Sequence, residues 1–370
     1  MKKNKKTISI IKEKKVGERR TILLPEDLRI FIQNGYDVYV ERGTGSGIGI
    51  SDKEYANIGA KIVSTKQAWT QSNVIFKYKP PVDSEFRYIN ADKHIGAVFH
   101  AEGNKELTDK LLKSKCTAYT YEFFKTKEGI FPASVASSEI AGKVAVIFAA
   151  YHLQNNRGGS GVLLAPVVNV KPPKVVVIGY GNAGGSAARM AAAMGGRVVV
   201  FGTNREKLRA FQSSMPIGTE CFINTPKKLR EELQDADIVI GAILISTYDT
   251  KPIITKEMVK KMKKGSIIMD VTCGYGSGYI ETFDHNTTLE NPVFSKYGVL
   301  HCKVDVLPSA YSVTTVQAMS KHLSYYLYRM AEGIYAQKPY DVAEAGKIVQ
   351  NGKIVHFEVQ RHMEHWNEIK

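Results

Sequence analysis

Short apolar runs alternate with helical patterns through roughly the first 130 residues. The strand-like run TISII precedes PEDLRIFIQNG, whose apolar residues recur at helical spacing, and the alternating run YDVYVERG follows. Further runs typical of strands are AKIVS, NVIFKYKPP, HIGAVFH and CTAYTYE. This alternation predicts parallel βα units, and it places His100 at the end of a predicted strand.

A second α/β series follows a long apolar helix. That helix is predicted from residue 137, in SSEIAGKVAVIFAAYHLQ, and it leads into the glycine-rich connector NNRGGSGVLLAPV. The next strand-like runs are KVVVIG, RVVVFG, ECFIN, DIVIGAIL and SIIMDV, each preceded by helical sequence. Strands that alternate with helices in this way predict a second doubly wound sheet.

The C-terminal region is predicted to return to the first domain. Apolar residues at three- and four-residue steps in SVTTVQAMSKHLSYYLYRMAEGIYA predict a long helix, and Asn351-Gly352 between KIVQ and KIVH predicts a hairpin. The fold class is therefore α/β, with two Rossmann-like doubly wound parallel-sheet domains and a cleft between them. The predicted substrate domain comprises residues 1–136 and 310–370, and the dinucleotide-binding domain comprises residues 137–309.

Composition narrows the possible partners. The 370 residues are 44% hydrophobic, enough for two cores, and the net charge of +15 comes largely from scattered lysines. Nucleic-acid binders concentrate such charge with aromatic residues, so we expect no nucleic-acid partner but a general attraction for anions. The four widely spaced cysteines form no CxxC and predict neither a metal site nor a disulfide. Because no segment approaches the apolar length of a membrane span, we expect a cytoplasmic protein without a membrane partner.

The stretch VVVIGYGNAGGSAARM contains a dinucleotide-binding motif in its proper context. Gly179, Gly181 and Gly184 follow a predicted strand and open a predicted helix. The first glycine permits a tight turn, the second lets backbone amides approach a pyrophosphate, and the third lets helix and strand pack closely. We expect these glycines, with the intervening Asn182 and Ala183, to bind a nicotinamide dinucleotide.

The next strand lacks the acid that usually binds the adenosine ribose. Gly202 ends RVVVFG at that position, and Thr203, Asn204 and Arg205 follow. An acid would repel a 2′-phosphate, whereas an arginine can pair with one, so these four positions favour NADP(H) over NAD(H). The alternative is that Arg205 is only a solvated residue at the start of a helix.

Several stretches together resemble the alanine dehydrogenase and pyridine nucleotide transhydrogenase (domain I) superfamily. The resemblance runs from about residue 10 to about residue 330 and includes KEKKVGERRTILLPEDL, NVIFKYKPP, AVFHAEGNKELTDKLL, SSEIAGKVAVIFAAYHL and DADIVIGAIL. GERRTILLP is also similar to the N5-(carboxyethyl)ornithine synthases, and there is local similarity to saccharopine dehydrogenases. The resemblance implies a hydride-transferring enzyme that acts on a 2-keto acid or an amino acid.

The resemblance also implies roles for individual residues. Arg20 and Lys79 would hold the keto-acid carboxylate, and His100 would exchange a proton with the substrate as hydride moves, with Lys79 also catalytic. An imidazole titrates near neutral pH and can serve in both directions. The implied cofactor contacts are Ser138, Leu244, Val271 and Leu307. Ser138 has a second possible role as a helix N-cap.

One departure from the family pattern concerns the amine. Alanine dehydrogenases carry a second acid four residues after the first, whereas DVTCGYG has Asp270 and then Gly274. Its loss puts ammonium chemistry in doubt and opens room for a larger amine. Asp305, which resembles the aspartate in the DHLPS motif of saccharopine dehydrogenases, is a possible replacement contact, although Val306 stands where those enzymes have histidine. Cys273 beside the gap is interpreted as packing, because nothing nearby would lower its pKa.

The leading hypothesis is an NAD(P)H-dependent oxidoreductase acting on the CH–NH group of an amino acid, by reductive amination of a 2-keto acid or reduction of its imine. One alternative is an opine-type synthase that condenses a 2-keto acid with an amino acid. Another is a non-catalytic or partner-dependent nucleotide-binding module, which would keep its function if His100 were replaced. The resemblance further implies a homo-oligomer.

Overall fold

The computed structural model describes residues 5–243, 251–272 and 278–368. The strands in chain order are β1 Thr7–Ile10, β2 Asp37–Glu41, β3 Lys61–Val63, β4 Val74–Phe76, β5 His94–Ala97, β6 Thr117–Thr120, β7 Lys174–Ile178, β8 Arg197–Gly202, β9 Glu220–Ile223, β10 Ile238–Gly241, β11 Ile267–Asp270, β12 Phe294–Lys296, β13 Val299–Cys302, β14 Lys347–Gln350 and β15 Lys353–Ile354. The α-helices are α1 Pro25–Gln33, α2 Asp52–Asn57, α3 Thr65–Thr70, α4 Lys105–Ser114, α5 Pro132–His152, α6 Asn182–Ala193, α7 Arg205–Ser213, α8 Pro226–Gln234, α9 Lys256–Lys260, α10 Ser312–Tyr335, α11 Asp341–Glu344 and α12 Phe357–Glu368. Short 3-10 turns include Ala101–Gly103 and Leu307–Tyr311.

The chain divides into two compact units. Unit 1 comprises Met1–Ser137 and Tyr311–Lys370, and unit 2 comprises Ser138–Ala310. The predicted divisions, after residues 136 and 309, lie one residue before these.

Unit 1 is built on a sheet with the strand order β15-β14-β6-β5-β4-β1-β2-β3. Strands β1 to β6 run parallel, so their carboxyl ends lie at one edge of the sheet. The direction of winding reverses between β1 and β4, because β2 lies on one side of β1 and β4 on the other. In open α/β sheets this reversal opens a crevice at the carboxyl ends, where ligands bind.

Unit 2 repeats the same plan in the order β12-β13-β11-β10-β7-β8-β9. Its strands are parallel except β12, which pairs antiparallel with β13 at the edge. The reversal here lies between β7 and β10. The sequence prediction of two doubly wound, mostly parallel sheets is therefore confirmed.

Continuous apolar runs explain why the central strands are central. Every residue of β7 is buried, as are all four residues of β10 and β11. A parallel strand covered by helices on both faces needs apolar residues at every position rather than at alternate ones. In unit 1, β4 has the same character, and its three residues are all buried.

Helix α5 begins earlier than predicted and has the length and composition of a membrane span. It starts at Pro132 rather than residue 137, and its mean hydropathy is 1.4 with few charges. By length and composition, therefore, the expectation that no segment approaches a membrane span is wrong. Core helices pass the same test, and Val144, Ala145, Val146 and Ala149 of α5 are buried. A Cβ at Gly142 would lie 2.0 Å from the Ala183 carbonyl oxygen, so α5 packs closely on α6.

The C-terminal region extends the sheet of unit 1. The predicted hairpin is confirmed. Strands β14 and β15 pair antiparallel, and the two turn residues that connect them, Asn351 and Gly352, both have positive φ. Strand β14 also pairs with β6. The predicted long helix corresponds to α10, which packs against α1 in the same unit. Helix α12 packs on the 3-10 turn Ala101–Gly103, directly after His100.

Candidate active site

Arg20 lies buried near the carboxyl edge of the unit 1 sheet, held by a neighbouring carboxylate. Its Nε and Nη2 donate to the two oxygens of Glu18 at 2.7 and 2.6 Å, and both side chains are 3% exposed. The guanidinium also lies 4.1 Å from the centre of the Tyr78 ring, and Nη1 donates to the Tyr78 hydroxyl at 3.1 Å. The bidentate pair of hydrogen bonds fixes the guanidinium in a single orientation.

The Arg20–Glu18 pair keeps both groups charged. Burial disfavours the charge of Glu18, but the hydrogen bonds and charge of Arg20 outweigh it, and the pKa of Glu18 lies below its usual value. Burial likewise opposes the charge of Arg20, yet Tyr78 and Glu18 hold its pKa above the ordinary value. A cation is therefore permanent at this edge of the sheet.

Lys79 follows β4 in the tight segment Lys77-Tyr78-Lys79. The residue is only 4% exposed. The backbone N–H groups of Tyr78 and Lys79 donate to Oε1 of Glu13 at 2.7 and 3.3 Å. Glu13, which follows β1, therefore holds the backbone of Lys79, which follows β4 and is predicted to bind substrate.

His100 lies beyond its strand rather than at the strand's end. Strand β5 stops at Ala97, and His100 adopts a left-handed conformation with φ of 46°. A non-glycine residue in this region signals a backbone held by its surroundings. Glu122, just after β6, accepts the His100 backbone N–H at 2.8 Å and lies 3.5 Å from the imidazole Nδ1. The imidazole side chain is 14% exposed.

The three predicted residues of unit 1 thus share one edge of its sheet. Val98, two residues before His100, donates its N–H to the Tyr78 carbonyl at 2.9 Å, which joins the segments after β4 and β5. Tyr78 in turn contacts Arg20. Two buried cations and an oriented imidazole at a topological switch point can bind a carboxylate and exchange a proton beside it.

The glycine loop of unit 2 has the geometry that a dinucleotide requires. Gly179 has a φ of 96°, and a Cβ there would lie 2.4 Å from the Ala242 carbonyl oxygen. A Cβ at Gly184 would lie 2.0 Å from the Gly179 carbonyl oxygen, whereas nothing lies within 4 Å of a Cβ at Gly181. Gly181 caps α6 without a side-chain hydrogen bond, so the first N–H groups of the helix, from Asn182 and Ala183, are available to an anion.

Tyr180 provides a physical reason for Gly202. A Cβ at Gly202 would lie 2.1 Å from the Tyr180 ring, so the tyrosine occupies the space that any larger residue would need. The Tyr180 hydroxyl donates to the Asn204 carbonyl at 3.3 Å. Thr203 and Arg205 are exposed beside it, and the exposed Asn204 accepts the Lys207 N–H as the N-cap of α7.

Asp270 has hydrogen-bond partners at one carboxylate oxygen and an ion-pair partner at the other. Its Oδ1 accepts from the Thr272 backbone and the Tyr279 hydroxyl at 3.0 and 3.1 Å, and Lys303 Nζ lies 3.2 Å from Oδ2. The Asp270 and Lys303 side chains are both buried. Asp305, two residues beyond Lys303, is half-buried. The neighbouring predicted contacts are Val271, which is half-buried, and Leu307, which is buried at the start of a 3-10 turn.

The N-cap role considered for Ser138 is wrong. Helix α5 begins at Pro132, so Ser138 lies inside it, half-buried, because proline is favoured in the first turn and starts the helix earlier. The predicted contact Leu244 lies outside the described residues, as do Gly274 and Cys273.

Five residues near the carboxyl edges of the two sheets were not predicted from the sequence. They are Glu13, Glu18, Glu122, Tyr180 and Lys303. Glu18 stands two residues from Arg20, a spacing that signals a local pair, whereas Glu13 and Glu122 meet their partners only through sheet order.

Two domain models of one protein family match this chain, one in each half. The model of the alanine dehydrogenase/PNT N-terminal domain matches residues 9–141, and that of the C-terminal domain matches residues 145–357. These two matches cover most of the described units.

Individual relatives cover nearly the whole chain. It is 33% identical to alanine dehydrogenase of Methanococcus maripaludis over 331 residues, which span 89% of this chain and 88% of the relative. It is 33% identical to alanine dehydrogenase of Bacillus subtilis over 358 residues, spanning 96% and 94%. A solved L-alanine dehydrogenase superposes with a TM-score of 0.90 at 32% identity, over 97% of this chain and 99% of the other. The chain therefore belongs to the alanine dehydrogenase/PNT family.

Proposed function

We infer that this chain is an amino-acid dehydrogenase, an oxidoreductase that interconverts an amino acid and a 2-keto acid with a nicotinamide nucleotide. Family membership supports the enzyme class. The single observation that carries the chemistry is the convergence of Arg20, Lys79 and His100 at the carboxyl edge of one sheet. The Gly179-to-Gly184 loop fits a dinucleotide, which when bound supplies or accepts the hydride.

Carboxylate binding is assigned to the two cations of unit 1. The substrate carboxylate lies between the Arg20 guanidinium and the Lys79 ammonium, and this fixes the α-carbon for hydride transfer. Glu18 keeps Arg20 in place during the exchange of water for substrate, because its two hydrogen bonds are made before substrate arrives. The aromatic face of Tyr78 limits the guanidinium to one plane.

Proton exchange is assigned to His100. Glu122 lies next to Nδ1, so Nε2, on the opposite side of the ring, exchanges the proton with the substrate nitrogen or oxygen. The left-handed backbone and the Glu122 hydrogen bond hold the ring where it is needed. Orientation by a second group is the usual requirement for an imidazole acid and base.

NADP(H) is the proposed cofactor within the nicotinamide class. Gly202 removes the carboxylate that would repel a 2′-phosphate, and Arg205 stands exposed at the first turn of α7. A phosphate at this helix start would also meet the partial positive charge of the N-terminus.

Replacing Gly202 with aspartate is expected to abolish nucleotide binding rather than to switch it to NAD(H). The Cβ would collide with the Tyr180 ring at 2.1 Å, which displaces the ring or the loop. Tyr180→Ala combined with Gly202→Asp removes the collision and is expected to bind NADH at least about tenfold more tightly than the Gly202→Asp variant does. Fluorescence titration with NADH and NADPH measures both affinities, with Tyr180→Ala alone as the control. If Gly202→Asp alone bound NADH well, the steric role of Tyr180 would be wrong.

A specific observation also favours an opine-type reaction, in which the amine is an amino acid. The buried Asp270 accepts from Thr272 and Tyr279 at Oδ1 and forms an ion pair with Lys303 at Oδ2, so its negative charge is balanced before any substrate amine arrives. Half-buried Asp305 then becomes the candidate contact for a substrate amine.

The test of the proposed function is the oxidation of NADPH by the purified protein with pyruvate as the keto acid. Ammonium alone is compared with a panel of amino acids that includes ornithine and lysine, and NADH is run in parallel. Turnover with ammonium supports an amino-acid dehydrogenase. Turnover only with an added amino acid supports the opine-type alternative, and no turnover with any amine would contradict both.

A further inference from the structure

The segment Lys77-Tyr78-Lys79 connects the two predicted carboxylate-binding cations. Lys79 belongs to the segment itself, and Tyr78 contacts Arg20 through both its ring face and its hydroxyl. A shift of this backbone would therefore move Lys79 directly and Arg20 through Tyr78. The separation of the two cations depends on whatever holds the segment.

Glu13 is the side chain that holds it. Oε1 accepts two consecutive backbone N–H groups, from Tyr78 at 2.7 Å and from Lys79 at 3.3 Å. The Glu13 side chain is 3% exposed, so water does not compete for these bonds. Hydrogen bonds from a backbone N–H to a carboxylate are stronger than those between neutral groups. Glu13 follows β1 and the segment follows β4, so the contact bridges the switch point of the sheet.

Glu13 is stabilised from its other side by a buried lysine. Lys77 Nζ lies 3.6 Å from Glu13 Oε2 and 3.3 Å from Glu85 Oε1, and it donates to the Lys12 carbonyl at 3.4 Å. The Lys77 and Glu85 side chains are fully buried. Lys77 thus has two carboxylate partners, only one of which holds the backbone of Tyr78 and Lys79. Glu85 instead accepts the Val82 N–H, on a different segment.

We propose that Glu13 is a positioning residue that sets the spacing of Arg20 and Lys79, and so the affinity for the substrate carboxylate. The proposal rests on the proposed function, because it assigns substrate binding to these cations. Glu13 acts through the backbone of the segment and not by touching substrate.

The ionisation of Glu13 adds a pH dependence to this role. Burial raises the pKa of Glu13 to about 7, against the opposing effects of Lys77 and the two backbone N–H groups. Glu18, Arg20 and Tyr121 also face it: Glu18 raises its pKa, and the charge of Glu13 contributes to the raised pKa of Arg20 and to that of Tyr121, which lies well above the usual value. As pH falls through about 7, Glu13 takes up a proton, and its two hydrogen bonds lose their charge-assisted character.

The test compares Glu13→Gln with Glu85→Gln in the full-length protein. Each substitution removes one carboxylate from Lys77, but only the first changes the group that holds the 77–79 backbone. For Glu13→Gln we expect the KM for the keto acid to rise about tenfold. We expect kcat and the nucleotide Kd to stay within about twofold of wild type. For Glu85→Gln we expect all three within about twofold of wild type.

A second readout separates this proposal from the proposed function. The Kd for pyruvate is measured by calorimetry with oxidised nucleotide present, which needs no turnover, and the unfolding midpoint is recorded for each variant. We expect the wild-type Kd for pyruvate to rise between pH 8 and pH 6, and we expect Glu13→Gln to weaken pyruvate binding and to lack that rise. Equal effects of the two variants, or a fall in kcat alone, would overturn the role of Glu13. Failure of wild type to bind pyruvate would instead overturn the proposed function.

Discussion

Replacing His100 with glutamine is expected to lower kcat by about 10²- to 10⁴-fold with little change in nucleotide affinity. Glutamine keeps a polar group beside Glu122 but cannot accept and return a proton near neutral pH. Nucleotide binding is expected to persist because the glycine loop belongs to the other compact unit. Steady-state NADPH oxidation measures kcat, and fluorescence titration measures the nucleotide Kd.

His94 offers a matched control for this variant. It is the first residue of β5, whose other end leads to His100, and its pKa is lowered mainly by burial. His94→Gln therefore changes a half-buried histidine of β5 without reaching the carboxyl edge of the sheet. A His100→Gln variant that kept a kcat similar to that of His94→Gln would rule out proton exchange by His100. Another group would then have to exchange the proton with the substrate.

Replacing Arg20 with lysine is expected to raise the KM for the keto acid by about 100-fold although the positive charge is kept. A lysine cannot make the two-pronged contact with Glu18 or lie flat against the Tyr78 ring, both of which orient the guanidinium. Part of the remaining charge would be neutralised by Glu18 instead of facing substrate. Substrate saturation curves at fixed NADPH measure the effect.

Arg19 provides the control for the arginine substitution. It precedes Arg20 in the chain and is exposed, so Arg19→Lys makes the same chemical change outside the buried pair. We expect its KM to stay within about twofold of wild type. If Arg20→Lys bound the keto acid as well as Arg19→Lys did, charge alone would suffice and the fork geometry would have no role. The unfolding midpoint distinguishes lost binding from lost folding.

Much of the fold could be predicted from local sequence patterns. Gly179, Gly181 and Gly184 were identifiable because their role depends on a strand before them and a helix after them, both of which are local. The hairpin at Asn351 and Gly352 was predictable for the same reason, since its turn requires positive φ at both positions. Helix boundaries were less secure: α5 begins at Pro132, several residues before the start predicted from its apolar run.

The partners of the predicted site residues could not be read from the chain. Glu13 meets Tyr78 and Lys79, 65 and 66 residues away, only because β1 and β4 are neighbours in the sheet. Glu122 reaches His100 because β6 lies beside β5. Lys303 reaches Asp270 because β13 lies beside β11. Periodicity predicts that strands exist, but their order arises from the packing of helices on both faces.

The C-terminal tail shows the same limit. The sequence predicted the hairpin and the return to the first domain, but not that β14 pairs with β6 or that α12 packs on the turn after His100. Val359 and Met363 of α12 join the buried cluster that contains Phe99 and Ala101. The loop that presents His100 is therefore supported by residues more than 250 positions later in the chain.

The sequence by itself determined the two α/β halves and the glycine loop, because each depends on neighbours within a few residues, and the family resemblance proposed the two cations and the imidazole. Only the tertiary structure decided how those groups are held, since a buried charge needs a partner and that partner comes from whichever strand lies alongside. Gly202 illustrates both. The sequence showed that an acid is missing there, and the structure showed that the ring of Tyr180 occupies its place.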